Sequence, residues 1–298
     1  MSLTVLDPGL LTLAVDFGRT GSRSLGVPVG GAADRTALAL GNGLVGNPPD
    51  AVALELTLAG PTLRAEERTG CVVFGAPFSL TVSGRGPILA GTTFTLEPGE
   101  VLRIGGTPRG VRGYLCVPGG FHFPTILGSR SSLEPITANA VLKCSSSALR
   151  SRSLPFDSLE VPDPAVLRVL DGLQRDWFPD DAFFTRTFIV APASNRMGLR
   201  LTGEPLVKTP GEMTSEPVAP GAVQVANDGL PIVLGIDGQT IGGYPKIAHV
   251  IRADLDVLAR LRPGQGVRFQ RVMLRDAEDA ARERAAWLAV WSLRLKVG

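Results

Sequence analysis

Turn-forming residues divide this chain into short segments, and this pattern limits its fold more than any other feature. Of the 298 residues, 36 are glycine and 24 are proline, and they are spread along the whole chain. Between residues 51 and 117 they separate runs rich in Val, Leu and Thr, each long enough for one strand. Because glycine and proline favour tight turns, the pattern predicts a mostly β protein built as a sandwich or a barrel.

A short pattern near the N-terminus recurs in the second half of the chain. The first copy is Gly18-Arg19-Thr20-Gly21 with Gly26 and Pro28, and the second is Asn195-Arg196-Met197-Gly198 with Gly203 and Pro205. Matched positions are 177 residues apart, which suggests a duplicated β unit with one Arg-x-Gly turn per copy. A turn needs only glycine at the first position, so Asn195 is the better candidate for chemistry.

An irregular stretch rich in serine and proline separates two strand-rich halves. We therefore expect two domains, residues 1–160 and residues 161–298. The predicted helices are Arg35–Val45 after the N-cap Asp34, Asp254–Leu261 with Asp254 as its N-cap, and a C-terminal helix over Asp276–Leu295.

Composition argues against several classes of protein. The net charge is +2 and the arginines are scattered, which argues against nucleic-acid binding. Of the three cysteines, Cys71 and Cys116 lie in apolar runs and are expected to be buried free thiols, and two histidines are too few for a convincing metal site. The sequence has no signal-like N-terminus and no apolar stretch of about 18 residues, so we expect a cytoplasmic protein without membrane contact.

Two strings combine glycine with polar side chains between apolar runs. One is Ser194–Gly198, and the other is Gln239–Lys246, which contains Gly242-Gly243-Tyr244-Pro245. Glycine lets backbone N–H groups approach a ligand, while Asn, Arg, Tyr and Lys supply an amide, cations and a stacking surface. This combination suits an anionic or carbonyl-bearing small molecule. The structural alternatives are a plain β-turn with Arg196 on the surface and a plain hairpin loop.

Other polar residues have simpler interpretations. Asp16 and Glu55 are expected to bind loop backbone and Arg19 rather than act as acid or base. His249 is expected to be incidental, although it follows Lys246 on the same predicted strand. The sequence contains no Gly-Lys-Ser/Thr string, so no phosphate loop for ATP is expected in this chain.

An ordered set of motifs resembles the biotin-dependent carboxyltransferase family, also called allophanate hydrolase subunit 2 or KipA-like, from about Thr4 to Phe269. The matching motifs are Asp16–Gly21, Gly26–Pro28, Gly30–Asp34, Ala53–Glu55, Gly128–Arg130, Ser194–Gly198, Ser215-Glu216, Pro220-Gly221, Gln224-Val225, Asp228-Gly229 and Gln239–Ile247. The chain departs from the family pattern at Val15, Ile241 and His249. A further departure is Thr137–Arg152, which replaces an expected glycine-rich segment.

The resemblance implies two related cyclophilin-like β-barrel halves with a few short helices. Its bacterial stand-alone members include the C subunit of 5-oxoprolinase, which works with an A subunit and a KipI-like B subunit in ATP-dependent opening of 5-oxoproline to L-glutamate. ATP is then expected on the partner subunits. The implied catalytic residues are Asn195, Tyr244 and Lys246, and the substrate-binding candidates are Arg196, Gly198, Gln224, Gln239, Gly242 and Gly243. Asn195, Lys246 and the glycine backbone would hold developing oxygen charge.

Two other functions remain open on the sequence. The chain could be a carboxyltransferase component that uses carboxybiotin, as in urea carboxylase, with a biotin carrier supplied in trans because no Met-Lys-Met string occurs. It could also be a regulatory protein that binds a KipI-like partner and needs neither Asn195 nor Lys246.

Overall fold

The computed structural model describes residues 2–132, 134–145, 147–155, 159–209, 211 and 213–297. The chain divides into two compact units. The first contains Met1–Gly18, Asp34–Glu160 and Leu288–Gly298, and the second contains Arg19–Ala33 and Val161–Trp287. The glycine-rich segment Arg19–Ala33 therefore belongs to the second unit although it lies near the N-terminus.

The strands of the first unit form two antiparallel sheets. One has the order β11-β1-β4-β9-β6-β7 and the other has the order β2-β3-β10-β5-β8. The strands are β1 (Ser2–Asp7), β2 (Thr12–Val15), β3 (Ala53–Thr57), β4 (Thr62–Ala65), β5 (Thr69–Gly75), β6 (Leu80–Val82), β7 (Pro87–Ile88), β8 (Phe94–Leu96), β9 (Val101–Ile104), β10 (Arg112–Cys116) and β11 (Val141–Lys143).

The second unit is built on a closed barrel of seven strands in the order β12-β19-β16-β17-β14-β13-β20, and a two-stranded ribbon, β15-β18, lies outside it. The barrel closes through a parallel pair, β12 with β20. The strands are β12 (Ala165–Asp171), β13 (Phe188–Val190), β14 (Gly198–Thr202), β15 (Glu216–Pro217), β16 (Ala222–Val225), β17 (Pro231–Leu234), β18 (Ile241–Gly242), β19 (Lys246–Val250) and β20 (Gly266–Arg271).

The core of the barrel is apolar and contains a cluster of aromatic rings. Phe183 stacks on Phe269 with ring centroids 4.3 Å apart, and Phe188 lies 6.1 Å from both. These side chains are buried, and offset aromatic pairs of this kind are worth about 0.5–1.5 kcal/mol beyond their buried area. The barrel wall therefore rests on a rigid interior. Together with the few helices, this architecture confirms the predicted mostly β fold.

The predicted helices are present, but the capping residue predicted for one of them is wrong. Helix α1 spans Arg35–Leu44, and the side chain of Asp34 caps it by accepting a hydrogen bond from Ala37 N at 2.9 Å, as predicted. The other helices are α2 (Ala182–Thr185), α3 (Leu255–Leu258) and α4 (Leu274–Val297). The C-terminal helix thus begins two residues earlier than predicted.

Asp254 does not cap helix α3, so that prediction is wrong. Its carboxylate accepts hydrogen bonds from the backbone N, Nε and Nη2 of Arg168 at 2.8, 3.0 and 2.6 Å. A bidentate guanidinium is a stronger partner for a carboxylate than a backbone amide, and it occupies both oxygens. Arg252–Asp254 form a 3-10 turn instead, ahead of the four-residue helix.

The two copies of the Arg-x-Gly pattern differ in local structure. In the first copy Gly21 and Gly26 have φ of +93° and +79° and flank a 3-10 helix over Arg23–Leu25. In the second copy Gly198 is the first residue of strand β14. The spacing match therefore does not extend to the backbone conformation.

Asp16 is bound by loop backbone, as the sequence predicted. Its carboxylate accepts hydrogen bonds from the backbone N of Gly18 and Arg130 at 2.8 and 2.6 Å, and from two serine hydroxyls at 2.6 Å, those of Ser129 and Ser131. Burial opposes the charged form, but these hydrogen bonds outweigh it and lower the pKa of Asp16.

The three cysteines are free and buried, as predicted for Cys71 and Cys116. Within the part of the chain that the structure describes, none of the helices is both long enough and apolar enough to cross a bilayer.

Candidate functional site

Lys246 forms an ion pair with Glu216 on the surface of the barrel. Lys246 begins strand β19, and its Nζ donates a hydrogen bond to Oε1 of Glu216 on the ribbon strand β15. The lysine side chain is only 9% exposed, whereas that of the glutamate is 29% exposed. The hydrogen bond from Lys246 is the main cause that lowers the pKa of Glu216, so this carboxyl stays ionised at neutral pH.

Alternation along β16 and the pairing of Gln224 with Lys246 place this ion pair on the outer wall of the barrel. Val223 and Val225 belong to the barrel core, so Gln224 between them points to the opposite face. Lys246 pairs with Gln224 in the register of β16 and β19, and its neighbour Ile247 is in the core. Gln224 and Lys246 therefore share the outer face, and both are buried there.

Gln224 organises the second glycine string. Its Nε2 donates to the carbonyl oxygen of Tyr244 at 3.4 Å, and its Oε1 accepts from Nε2 of Gln239 at 3.5 Å. A Cβ placed on Gly242 would lie 2.5 Å from Nε2 of Gln224, so a side chain at this position would have to displace the Gln224 amide. The structure thus brings Gln224, Gln239, Gly242, Tyr244 and Lys246 together.

Tyr244 and Gly243 form the exposed part of this group. The side chain of Tyr244 is 39% exposed, and Gly243 and Ile241 beside it are also exposed. The residue before a proline is restricted to extended conformations, so Pro245 limits the directions that the Tyr244 ring can take. An aromatic ring and an aliphatic side chain therefore flank the Gly242-Gly243 backbone on the solvent side.

Asn195 lies in a tight turn that leads into β14. Its backbone N donates to Gly198 O at 3.1 Å, and its Oδ1 accepts from Met197 N at 2.8 Å. Asn195 itself is exposed. The turn predicted for this string is present, and the side-chain oxygen of Asn195 helps to build it.

Arg196 is buried, unlike the surface arginine of the simple turn interpretation. Its Nε and Nη2 donate to the carboxylate of Asp237 at 2.6 and 2.9 Å, and Nη2 also donates to Gly31 O at 2.7 Å. The backbone is tied in the same way, because Asp237 N donates to Arg196 O at 3.1 Å. Arg196 therefore fastens the turn to two loops of the second unit.

Side-chain contacts of the loop over residues 235–240 link the two glycine strings. Asp237 binds Arg196, and Gln239, two residues later, binds Gln224. The strands that carry the strings are not adjacent, since β17 and β16 separate β14 from β19. Three strand spacings amount to roughly 14 Å around the wall. A common pocket for Asn195 and Tyr244 stays a prediction.

His249 lies on β19 and is half-buried. Burial lowers the pKa of its ring, against a smaller opposite effect from the contact of Nδ1 with Val250 O at 3.0 Å. The ring is therefore neutral at pH 7, and the incidental role expected for His249 stays a prediction.

Three residues of this region were missed as site candidates. Glu216 lies in a motif that resembles the family pattern, but no role was predicted for it. Gln174 and Asp237 lie in none of the matching motifs. Their contacts join segments that are far apart in sequence, such as Gln174 with Lys246 and Arg196 with Asp237. No local pattern signals them, because each acts only through the pairing of distant strands and loops.

Known proteins and a family profile are similar to this chain over most of its length. The profile of the carboxyltransferase domain, subdomains A and B, matches residues 25–271. Two proteins named as the C subunit of 5-oxoprolinase are similar along almost their whole length. The one from Haemophilus influenzae (strain ATCC 51907 / DSM 11121 / KW20 / Rd) is 32% identical over 96% of this chain and 96% of its own. The one from Escherichia coli (strain K12) is 33% identical over 98% of both.

A solved structure, that of the Kluyveromyces lactis urea carboxylase, has the same fold. It is 26% identical, with a TM-score of 0.88 over 97% of this chain. The chain spans only 29% of that protein, and 55% of another solved chain that it resembles. The profile match and the end-to-end similarity together place this chain in the carboxyltransferase domain family, subdomains A and B.

Proposed function

We propose that this chain is the C subunit of a 5-oxoprolinase-type complex, which opens the lactam ring of 5-oxoproline to L-glutamate at the expense of ATP. One observation carries the proposal: the relatives named as the C subunit of 5-oxoprolinase are matched from end to end, whereas urea amidolyases are matched over less than a fifth of their length. An A subunit and a KipI-like B subunit would complete the enzyme.

The chemistry requires activation of a stable amide. A lactam is stabilised by resonance, so water attacks it only after its carbonyl has been activated. We assign ATP to the partner subunits, because the sequence of this chain contains no phosphate loop. This chain would supply hydrogen-bond donors where negative charge develops on oxygen. Removing one such donor typically costs about 10²–10³ in rate.

Lys246 is the donor that we assign to the lactam oxygen, together with the backbone around Gly242 and Gly243. An ammonium group has three N–H donors, so the bond to Glu216 leaves two for a ligand. Tyr244 would pack on the lactam ring or orient its carbonyl.

Asn195 would bind a different polar group of the same ligand through its amide NH2, since its oxygen is used in the turn. Arg196, Gly198, Gln224 and Gln239 would support binding by fixing the loops around the ligand.

The partner surface would include the exposed side chains of Ile241 and Tyr244, which flank the glycine pair. A KipI-like B subunit that covered them would also exclude water from the site. A stable complex of this kind buries at least about 1,000 Å² in total.

The experiment is reconstitution from separately purified subunits. We expect glutamate to form from 5-oxoproline only when ATP and all three subunits are present, and the chain alone to be silent. Lys246→Ala should leave the complex intact by size-exclusion chromatography and lower kcat by about 10²–10³. Turnover by the isolated chain would contradict the proposal for the partners. Dissociation of the complex by Lys246→Ala would make Lys246 an interface residue.

A second function, carboxyl transfer from carboxybiotin, is favoured by the family profile over residues 25–271 and by the fold shared with urea carboxylase. The donors present fit such a group, because Lys246 and the Asn195 amide are suited to a carbamate anion. Bound carboxybiotin would supply the carboxyl group, and Lys246 would hold that anion. Incubation of the chain with a separately carboxylated biotin carrier and urea tests this function: carboxylated urea would form only if it holds.

A further inference from the structure

Gln174 is hydrogen-bonded to Lys246, the residue on which the proposed function depends. Its Oε1 accepts a hydrogen bond from Lys246 N at 3.0 Å, and its backbone N donates to Lys246 O at 3.1 Å. Next to it, Gly172 N donates to Ile247 O at 3.0 Å. A Cβ on Gly172 would lie 2.2 Å from Lys246 O, so the two backbones are in close contact. Residues 172–174 therefore continue the pairing of β12 with the first residues of β19.

The same glutamine also reaches the counter-ion of Lys246. Its Nε2 donates to Oε1 of Glu216 at 2.9 Å, and this is the oxygen that accepts from Nζ of Lys246. Oε1 of Glu216 thus accepts hydrogen bonds from both Gln174 and Lys246. Since the Gln174 amide is anchored to the lysine backbone, it fixes Glu216 relative to the strand that carries Lys246.

The hydrogen bonds among Gln174, Glu216 and Lys246 limit the orientation of the Lys246 ammonium group. A lysine side chain has four rotatable bonds and would otherwise sample many directions. With one N–H bonded to a fixed carboxylate oxygen, the directions of the remaining two N–H groups are limited. Glu216 is the more exposed partner, so it lies on the solvent side of Lys246.

We propose, on the basis of the proposed function, that Gln174 and Glu216 are positioning residues that hold the Lys246 ammonium in the direction required for the reaction. They act through Lys246 and do not contact the substrate. Preorganised donors contribute most to catalysis because they need no reorganisation during the reaction.

The test uses the full three-subunit complex with ATP and 5-oxoproline. Glu216→Gln keeps the size of the side chain and removes its charge, and Gln174→Leu removes both side-chain hydrogen bonds. We expect each to lower kcat by about tenfold or more while KM for 5-oxoproline changes by less than about threefold, since ground-state binding is retained. Added formate should restore part of kcat in Glu216→Ala by replacing the missing carboxylate.

The matched control is Glu204→Gln. Glu204 pairs with Arg186 at 2.7 Å in the same unit, outside the site. This variant should keep the wild-type kcat and show no response to formate. The inference is overturned if Glu216→Gln keeps the wild-type kcat, if kcat falls only in proportion to the folded fraction measured by circular dichroism, or if formate fails to raise kcat in folded Glu216→Ala.

A second measurement separates failure of this inference from failure of the proposed function. If the wild-type complex does not turn over 5-oxoproline, the proposed function fails, but the coupling can still be measured in the isolated chain. Shifts in Tm are compared for Glu216→Gln, Lys246→Met and the double variant. If the Tm shift of the double variant is smaller than the sum of the two single shifts, the two residues act as a unit. If the Tm shift of the double variant equals that sum, the inference is overturned.

Discussion

Replacing Asp237 by alanine tests whether Arg196 is a structural support of the site. The side chain of Arg196 is 8% exposed and donates two charge-assisted hydrogen bonds to Asp237, at 2.6 and 2.9 Å. Leaving a fully buried charge without its partner costs about 3–5 kcal/mol. Asp237 is 34% exposed, so water would replace part of the lost interaction, and we expect a loss of about 2–3 kcal/mol.

The assay is thermal unfolding of the isolated chain by differential scanning calorimetry. A loss of that size corresponds to a fall in Tm of roughly 4–12 °C for a unit of 150–250 residues. Glu204→Ala is the control, because Arg186 also donates to a carboxylate, at 2.7 Å, but Glu204 is 70% exposed. Exposed pairs contribute about 0–1 kcal/mol, so its Tm should change by at most about 4 °C. Equal shifts in the two variants would refute the role assigned to Arg196.

Three further predictions concern individual contacts. Gly242→Ala should destabilise the chain by about 1–3 kcal/mol in urea unfolding, because its Cβ meets buried Gln224, whereas Gly243→Ala, whose Cβ lies 3.3 Å from Ser215 Oγ, should stay within about 0.5 kcal/mol. Asp16→Asn should destabilise the protein at pH 7. Since the folded pKa of Asp16 is depressed, its contribution is present above the unfolded pKa of about 3.9 and is lost as pH falls through the folded pKa. The difference from wild type should therefore shrink at pH 3, and a constant difference would contradict this. Burial raises the pKa of all three thiols, so a thiol reagent such as dithionitrobenzoate should not react with the native chain and should react after unfolding with Cys71, Cys116 and Cys144.

The features that could be predicted from the sequence are those that depend on local rules. Helix α1 was predicted because Asp34 caps it within one turn, and the structure has that hydrogen bond. The same reasoning was wrong for Asp254, because Arg168, 86 residues away, binds its carboxylate. A cap is predictable only when no distant charge competes for it.

In the candidate site, too, local features are predictable from the sequence and contacts between distant segments are not. The glycine string was interpreted as a place where a ligand approaches the backbone, whereas the group that lies against Gly242 is the buried amide of Gln224. The local pattern could not identify that group, because Gln224 reaches Gly242 through strand pairing. Likewise, Arg196 is buried only because Asp237 and Gly31 come to it from loops elsewhere in the chain.

The separation of β14 and β19 leads to a final prediction about how Asn195 and Lys246 share the reaction. The strands are three positions apart, roughly 14 Å around the barrel wall, so one oxygen atom would not be held by both side chains. Groups that act on separate atoms give additive effects, whereas groups that act on one atom as a unit do not. In the three-subunit complex, the losses in kcat/KM for Asn195→Ala and Lys246→Ala, expressed as free energies, should therefore add to within about 0.5 kcal/mol in the double variant. Glu204→Ala combined with Lys246→Ala is the control and should equal Lys246→Ala alone. If Asn195→Ala has little further effect once Lys246 is removed, the two side chains act on the same atom. The loops before β14 and before β19 would then have to close much further over the barrel wall than the strand spacing implies.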